Sequence, residues 1–181
     1  MLLVNVRYLR YYNYGVYYED CDVAEVNNFH ICRDGYVHGK VCVCDGYDVP
    51  DTIDFWQLTD GEVVNGNTIS GETVVFCASD PDSDDMVIIG WYDNCVINKE
   101  VSKTDYGYVV DILCNDYDVY LIPVNERIFR IPSDKFNESK LWYIDDNKEA
   151  KFFIKNYLDD MRVKIKSICG VATEYLKNYF D

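Results

Sequence analysis

Thr73-Val74-Val75-Phe76-Cys77-Ala78 and Met86-Val87-Ile88-Ile89-Gly90-Trp91-Tyr92 decide how this chain folds, together with the acidic loop Ser79-Asp80-Pro81-Asp82-Ser83-Asp84-Asp85 between them. Both flanks are short apolar runs rich in β-branched and aromatic residues, and the loop is made of turn formers and carboxylates. A hairpin, or two neighbouring strands, is predicted. Working outward, residues 1–6 form another short apolar run, and residues 36–44 (Y-V-H-G-K-V-C-V-C) alternate until Asp45-Gly46 ends them as a turn. Residues 106–113 and 117–123 read as a further pair separated by Cys114-Asn115-Asp116, and residues 127–131 add a short strand before Pro132. Many short strands at this spacing suggest a barrel or a strongly curved sheet.

The C-terminal part changes period. Ala150, Phe153, Tyr157, Met161 and Ile165 recur at helical spacing, and Ile154 and Leu158 widen the stripe. Asp145 or Asp146 is the expected N-cap, with Glu149 in the first turn. Gly170 interrupts, and residues 171–180 read as a second, shorter helix. The predicted organisation is an α+β chain: a β-rich domain over residues 1–147 and a helical segment over 148–181 packed on it.

Charge and composition exclude several classes. With 181 residues, 49% of them hydrophobic, the chain can bury a core without staples. No apolar run approaches the ~20 residues of a membrane span. The start Met1-Leu2-Leu3-Val4-Asn5-Val6-Arg7 lacks a basic region ahead of a long apolar stretch, so a cytoplasmic protein without membrane contact is expected. Seventeen Lys and Arg stand against 32 Asp and Glu, a net charge of −15. Residues 148–181 hold seven basic and five acidic side chains, 7 − 5 = +2, which leaves −17 for the rest. Such a charge repels phosphate and rules out a basic DNA-coating protein, whereas a reader of single bases can work from a local patch.

Signals of catalysis are thin. The two histidines, His30 and His38, lie in a stretch of strand and turn, and no nucleophile motif, phosphate-binding glycine loop or H-E-x-x-H accompanies them. No enzymatic activity is expected. Asp80, Asp82 and Asp84 have the spacing of the first EF-hand ligands, but Asp85 takes the place of the required Gly and Trp91 that of the bidentate Glu, so a solvated loop is read. Eight cysteines without an export signal are read as buried free thiols. His30, Cys32, His38, Cys42 and Cys44 are zinc-type ligands close together in sequence. Zinc knuckles usually take the form C-x₂₋₄-C, and here Cys42-Val43-Cys44 is extended, with both thiols on one sheet face. No metal and no cofactor are expected.

Aromatics are the better lead. Phe55-Trp56, Trp91-Tyr92 and Trp142-Tyr143 are doublets that contain all three tryptophans. On a strand, each doublet would send one ring to the core and the other outward. Rings lining a concavity can sandwich a flat ligand such as a flipped base.

At Ile88-Ile89-Gly90-Trp91-Tyr92-Asp93-Asn94 the sequence resembles the PUA-like domains related to the EVE and YTH modified-base readers. These stand at the N-terminus of bacterial modification-dependent restriction proteins. That family carries a segment of the type V-V-G-W-Y-K-N-A-T-V, then L-L-P-x-x-E-R-x-F-x-I-P, matched here by Leu121-Ile122-Pro123-Val124-Asn125-Glu126-Arg127-Ile128-Phe129-Arg130-Ile131-Pro132. It continues with F-G-Q-S-x-x-W-Y, where this chain has Phe136-Asn137-Glu138-Ser139-Lys140-Leu141-Trp142-Tyr143. The opening M-L-L-V-N also matches, so the likeness runs in order through nearly all of residues 1–160.

The resemblance implies a PUA-like curved β-sheet or β-barrel with flanking and C-terminal helices. It further implies a sensor that turns a modified base of DNA or RNA into an aromatic pocket, serving phage defence or restriction beside an effector protein. Trp91 and Trp142 would be the stacking walls, Tyr143 would join the pocket, and Tyr92, Asn94 and Ser79 would make edge or phosphate contacts. Arg127, Arg130, Lys135 and Lys140 would form the basic patch. The departures point one way: Asp93 replaces the family's Lys, Asn137 and Glu138 replace its Gly and Gln, and Ser133 replaces a residue that is often basic. Lost cations weaken phosphate contact. The alternative is an acidic interaction protein, or DNA mimic, of the same fold that binds a basic protein partner.

Overall fold

The computed structural model describes residues 1–6, 28–29, 31–32, 34–42, 53–59, 61, 64–104, 107–136, 140–144 and 147–171. His30, Cys44, Asn137, Glu138, Ser139, the expected caps Asp145 and Asp146 and the expected helix beyond residue 171 lie outside the described residues.

The acidic loop does close a hairpin. It joins β3 (Thr68–Ser79) to β4 (Met86–Asn98), and Asp80 N–H donates to Asp85 C=O across its base at 2.9 Å. Around this pair lie β1 (Leu2–Asn5), β2 (Tyr36–Cys42), β5 (Ser102–Thr104), β6 (Gly107–Asn115), β7 (Val119–Leu121), β8 (Arg130–Ile131) and β9 (Leu141–Tyr143). The main path runs β2-β6-β4-β3-β1-β9, with β7 and β8 on β4 and β5 on β6. β1 runs parallel to β3, and the other pairings are antiparallel, so the sheet is mixed.

Two expectations are corrected. A barrel requires its first and last strands to pair. Among the described residues the three-residue β9 pairs with β1 alone, and the sheet is not closed. Residues 106–113 and 117–123 do not pair with each other either. The 3₁₀ turn Asp116–Asp118 redirects the chain, so β6 meets β4 at Val96 and Ile97 while β7 meets it at Gly90, Trp91 and Tyr92.

Alternation along the strands builds two cores. Leu2, Val4, Val74, Phe76 and Tyr92 face one, while Leu3, Val75, Cys77, Ile88 and Trp91 face the other. The second is covered by α2 (Lys148–Lys164), which buries Ile154, Leu158 and Met161 against it. The unbroken apolar run of β3 follows from burial on both faces. Asn147 caps α2, its side chain accepting Ala150 N–H at 3.0 Å. Phe55-Trp56 is helical rather than extended: Asp54 caps the one-turn α1 (Phe55–Leu58) by accepting Gln57 N–H at 3.2 Å.

Candidate functional site

Trp91 reaches the helix-covered face through a bulge. Phe76 pairs with Gly90 and the next residue, Cys77, with Ile88, so Ile89 is an extra residue on β4. The bulge turns Ile89 and Gly90 towards Phe29 and restores Trp91 to the side of α2. A side chain at position 90 would lie 2.5 Å from Tyr120 C=O and 2.6 Å from the Phe29 ring, so only glycine fits. Both members of the doublet are therefore buried, one in each core, instead of one pointing outward.

Asp93 organises the surroundings of Trp91. The Trp91 indole N–H donates to Asp93 Oδ2 at 3.0 Å, and Thr73 Oγ donates to Oδ1 at 3.2 Å. From α2, Arg162 binds the same carboxylate in bidentate fashion, Nε to Oδ2 at 2.9 Å and Nη2 to Oδ1 at 2.7 Å. Its guanidinium stands 5.6 Å from the Trp91 ring centroid and also pairs with Asp159. Tyr120 lies parallel on Trp91, with centroids 4.6 Å apart and planes at 7°. Burial opposes the Arg162 charge, but the hydrogen bond and charge of Asp93 outweigh it and hold the pKa above its ordinary value. Burial, followed by Asp93, pushes the Tyr120 phenol up. The result is an indole packed beside a phenol ring and a neutralised cation.

A second bulge follows at once. Tyr92 pairs with Val74 and Cys95 with Glu72, which leaves one extra residue on β4, and Asn94 takes a left-handed φ of 51°. Asparagine tolerates that conformation better than most residues. Its side chain is exposed, and its backbone role accounts for it.

The remaining expected site residues are dispersed. Trp142 shares a cross-strand row with Trp91, but Leu3 of β1 and Val75 of β3 stand between them. Three strand spacings of ~4.8 Å place their backbones about 14 Å apart. A sandwiched base needs walls about 7 Å apart, two van der Waals contacts. Trp142 meets Phe136 edge to face at 6.2 Å instead. Tyr92 and Tyr143 belong to the opposite face: the Tyr92 hydroxyl donates to Asn28 C=O, and the Tyr143 hydroxyl accepts Asp54 N–H at 3.0 Å. Ser79 is exposed at the end of β3, with Oγ 3.6 Å from Met86 sulfur.

Three of the four expected cations make side-chain contacts within the protein. Arg127 is buried and its Nε donates to Ile122 C=O at 2.9 Å, so it holds the chain after β7. Arg130 pairs with Asp80 of the acidic loop, and Lys135 lies 3.7 Å from Asp134. Lys140 is half-buried beside β9, its C=O accepting Asn5 N–H at 2.8 Å. No protein-family model, curated protein or solved structure matches the chain.

Residue reading alone overlooks Tyr120, Arg162 and the role of Asp93. One signal was available: a carboxylate directly after two large rings in an apolar strand calls for a cationic partner, and Arg162 is the only arginine in residues 148–181.

Proposed function

We propose that the chain is a PUA-like binding module that acts on a basic protein partner through its acidic surface. The observation that carries this is Asp93. It stands where the resembled family has a cation, and it takes up the guanidinium of Arg162, so the positive charge nearest Trp91 is neutralised within the protein. Lys40 also stands near a carboxylate, 3.9 Å from Asp111. Asp82 and Asp84 remain exposed in the loop beside Arg130. A net charge of −15 attracts a basic surface and repels a phosphate backbone. The PUA-like assignment rests on the ordered motifs around Gly90, Pro123 and Trp142 and on the mixed sheet with a C-terminal helix. The role proposed is binding, not catalysis, and the partner is a protein whose own surface is built for phosphate, such as an effector nuclease.

One observation favours a second reading, the modified-base sensor. Tyr120 is half-buried and stacked on Trp91, and a base could occupy that slot if the phenol swung out. A single experiment separates the two: tryptophan fluorescence and calorimetry with a Lys/Arg-rich peptide and with oligonucleotides bearing plain, methylated or hydroxymethylated bases. The peptide is expected to bind, at least ~10-fold more tightly at low than at physiological salt. Modification-dependent quenching by an oligonucleotide, strengthened in Tyr120→Ala, would overturn the protein-partner reading.

A further inference from the structure

The turn leading into β2 gathers three donors of different chemistry within seven residues. The Cys32 thiol, an Asp34 carboxylate oxygen and a His38 imidazole nitrogen lie within 4.8 Å of one another. Backbone bonds set the turn: Cys32 N–H donates to Tyr36 C=O at 2.8 Å, and Gly35 N–H to Cys32 C=O at 3.1 Å. Gly35 has a φ of 80°, a conformation natural to glycine. Asp34 Oδ1 accepts Tyr36 N–H at 3.1 Å, and its Oδ2 lies 3.0 Å from His38 Nε2. His38 itself is anchored in β2 opposite Leu113 of β6. That hydrogen bond to His38, followed by the one from Tyr36, holds the Asp34 carboxyl below its ordinary pKa.

We propose that Cys32, Asp34 and His38 form a binding site for a divalent metal of the zinc class. An exposed Asp–His pair alone would be an ordinary surface contact, but it leaves the convergence of Cys32 unexplained. Thiolate, imidazole and carboxylate are the three protein ligands that zinc takes, at ~2.0–2.3 Å. Calcium and magnesium demand oxygen throughout. Tetrahedral bonds of that length space the donors about 3.3–3.8 Å apart, so small rotations of these side chains close the site. The side chains are free to make them: His38 and Asp34 are 51% and 53% exposed, and Cys32 is half-buried. Three protein ligands leave a fourth position for water or for a donor from a bound molecule. The site stands apart from the acidic-surface reading and does not depend on it.

The test is cobalt titration of the full chain with its thiols kept reduced. Co²⁺ is expected to give thiolate-to-metal absorption in the near ultraviolet and the intense visible bands of a four-coordinate site, both removed by one equivalent of Zn²⁺. Cys32→Ser should abolish the thiolate band. His38→Ala and Asp34→Asn should weaken Zn²⁺ binding, and His38→Ala by at least ~100-fold, beyond what outer-shell changes cost. The replaced side chains lie at the surface, and unchanged circular dichroism verifies the fold of each variant. With eight cysteines in the chain, a thiolate band that survives Cys32→Ser would assign the metal elsewhere and overturn the proposal. So would Zn²⁺ affinity within twofold of the parent in His38→Ala, or no four-coordinate cobalt spectrum at all.

Discussion

Trp91 and Tyr92 are neighbours in sequence and both fully buried, yet the two faces they enter are sealed by different forces. On the Tyr92 face, Phe29, Phe76 and Tyr92 pack ring against ring at 4.5 to 5.9 Å, and the phenol satisfies its hydroxyl on Asn28 C=O. Gly39 lies against the Tyr92 ring, where a side chain would come within 2.6 Å of it. On the Trp91 face the closure is a helix held in part by charge, through Asp93 and Arg162. Apolar packing is insensitive to salt and to the ionisation of carboxylates; an ion pair is not. Among the described residues the Tyr92 face is therefore held by apolar packing, and the closure of the Trp91 face depends in part on an ion pair.

Core truncations should expose that asymmetry most strongly. Phe76→Ala removes the central ring of the packed face and is expected to cost ~3–5 kcal/mol. Leu158→Ala removes a buried residue of α2, and ~2–4 kcal/mol is expected because the helix can settle towards the space. Urea unfolding gives both numbers. A Leu158→Ala loss above ~4 kcal/mol with a Phe76→Ala loss below ~3 kcal/mol would reverse the expected order of the two faces.

The next effect is smaller and more specific. Arg162→Gln and Asp93→Asn should each cost about 1–2 kcal/mol, between a solvated pair and a fully buried one, because the Arg162 side chain keeps 31% of its exposure and Asp93 14%. A double-mutant cycle should return most of that as coupling. Both single variants should also shift tryptophan emission to the red as water reaches Trp91. Purely additive losses with unshifted emission would mean that the pair does not close this face.

Legibility followed the range of the interactions. The β3–β4 hairpin, β1 and most of the 3.6-residue stripe of α2 were readable because alternation and helical periodicity are local signals, although Phe153 of that stripe is exposed and Ile165 lies just past the helix. The partner of β7 was not. Alternation marks a strand but not its neighbour, and β4, thirteen residues long, has room for β6, β7 and β8 at different points. The faces of Trp91 and Tyr92 were obscured by the bulge at Ile89, since one extra residue shifts the phase of everything after it. The one-turn α1 was too short for any period, although Asp54 is a recognisable cap. The candidate site was least legible. Asp93 and Arg162 are 69 residues apart. Nothing in the string marks Arg127 as buried, or shows that Arg130 pairs with Asp80.

Alkaline titration gives the gentlest test, because it starts from groups buried on both faces. Burial raises the thiols of Cys77 and Cys114, and it raises Cys95 to about 12, with the charge of Glu72 adding to the burial. Burial, then Glu126, raises Tyr157 on the helix side to about 12. In each case the folded pKa lies above the unfolded one, so the folded state binds more protons between the two values. The stability these groups contribute is fully present below the unfolded pKa and falls as pH rises towards the folded pKa. The thiol contribution should begin to fall near pH 9.0 and the Tyr157 contribution only near 10.0, the ordinary values of the two groups. Replacing Cys77, Cys95 and Cys114 together by Ala should lower stability at neutral pH through lost packing, yet leave its pH profile flat to about 10 before the tyrosine limb begins. A profile that still declines from pH 9 as steeply as the parent's would mean that these thiols are not what the two cores shelter from ionisation.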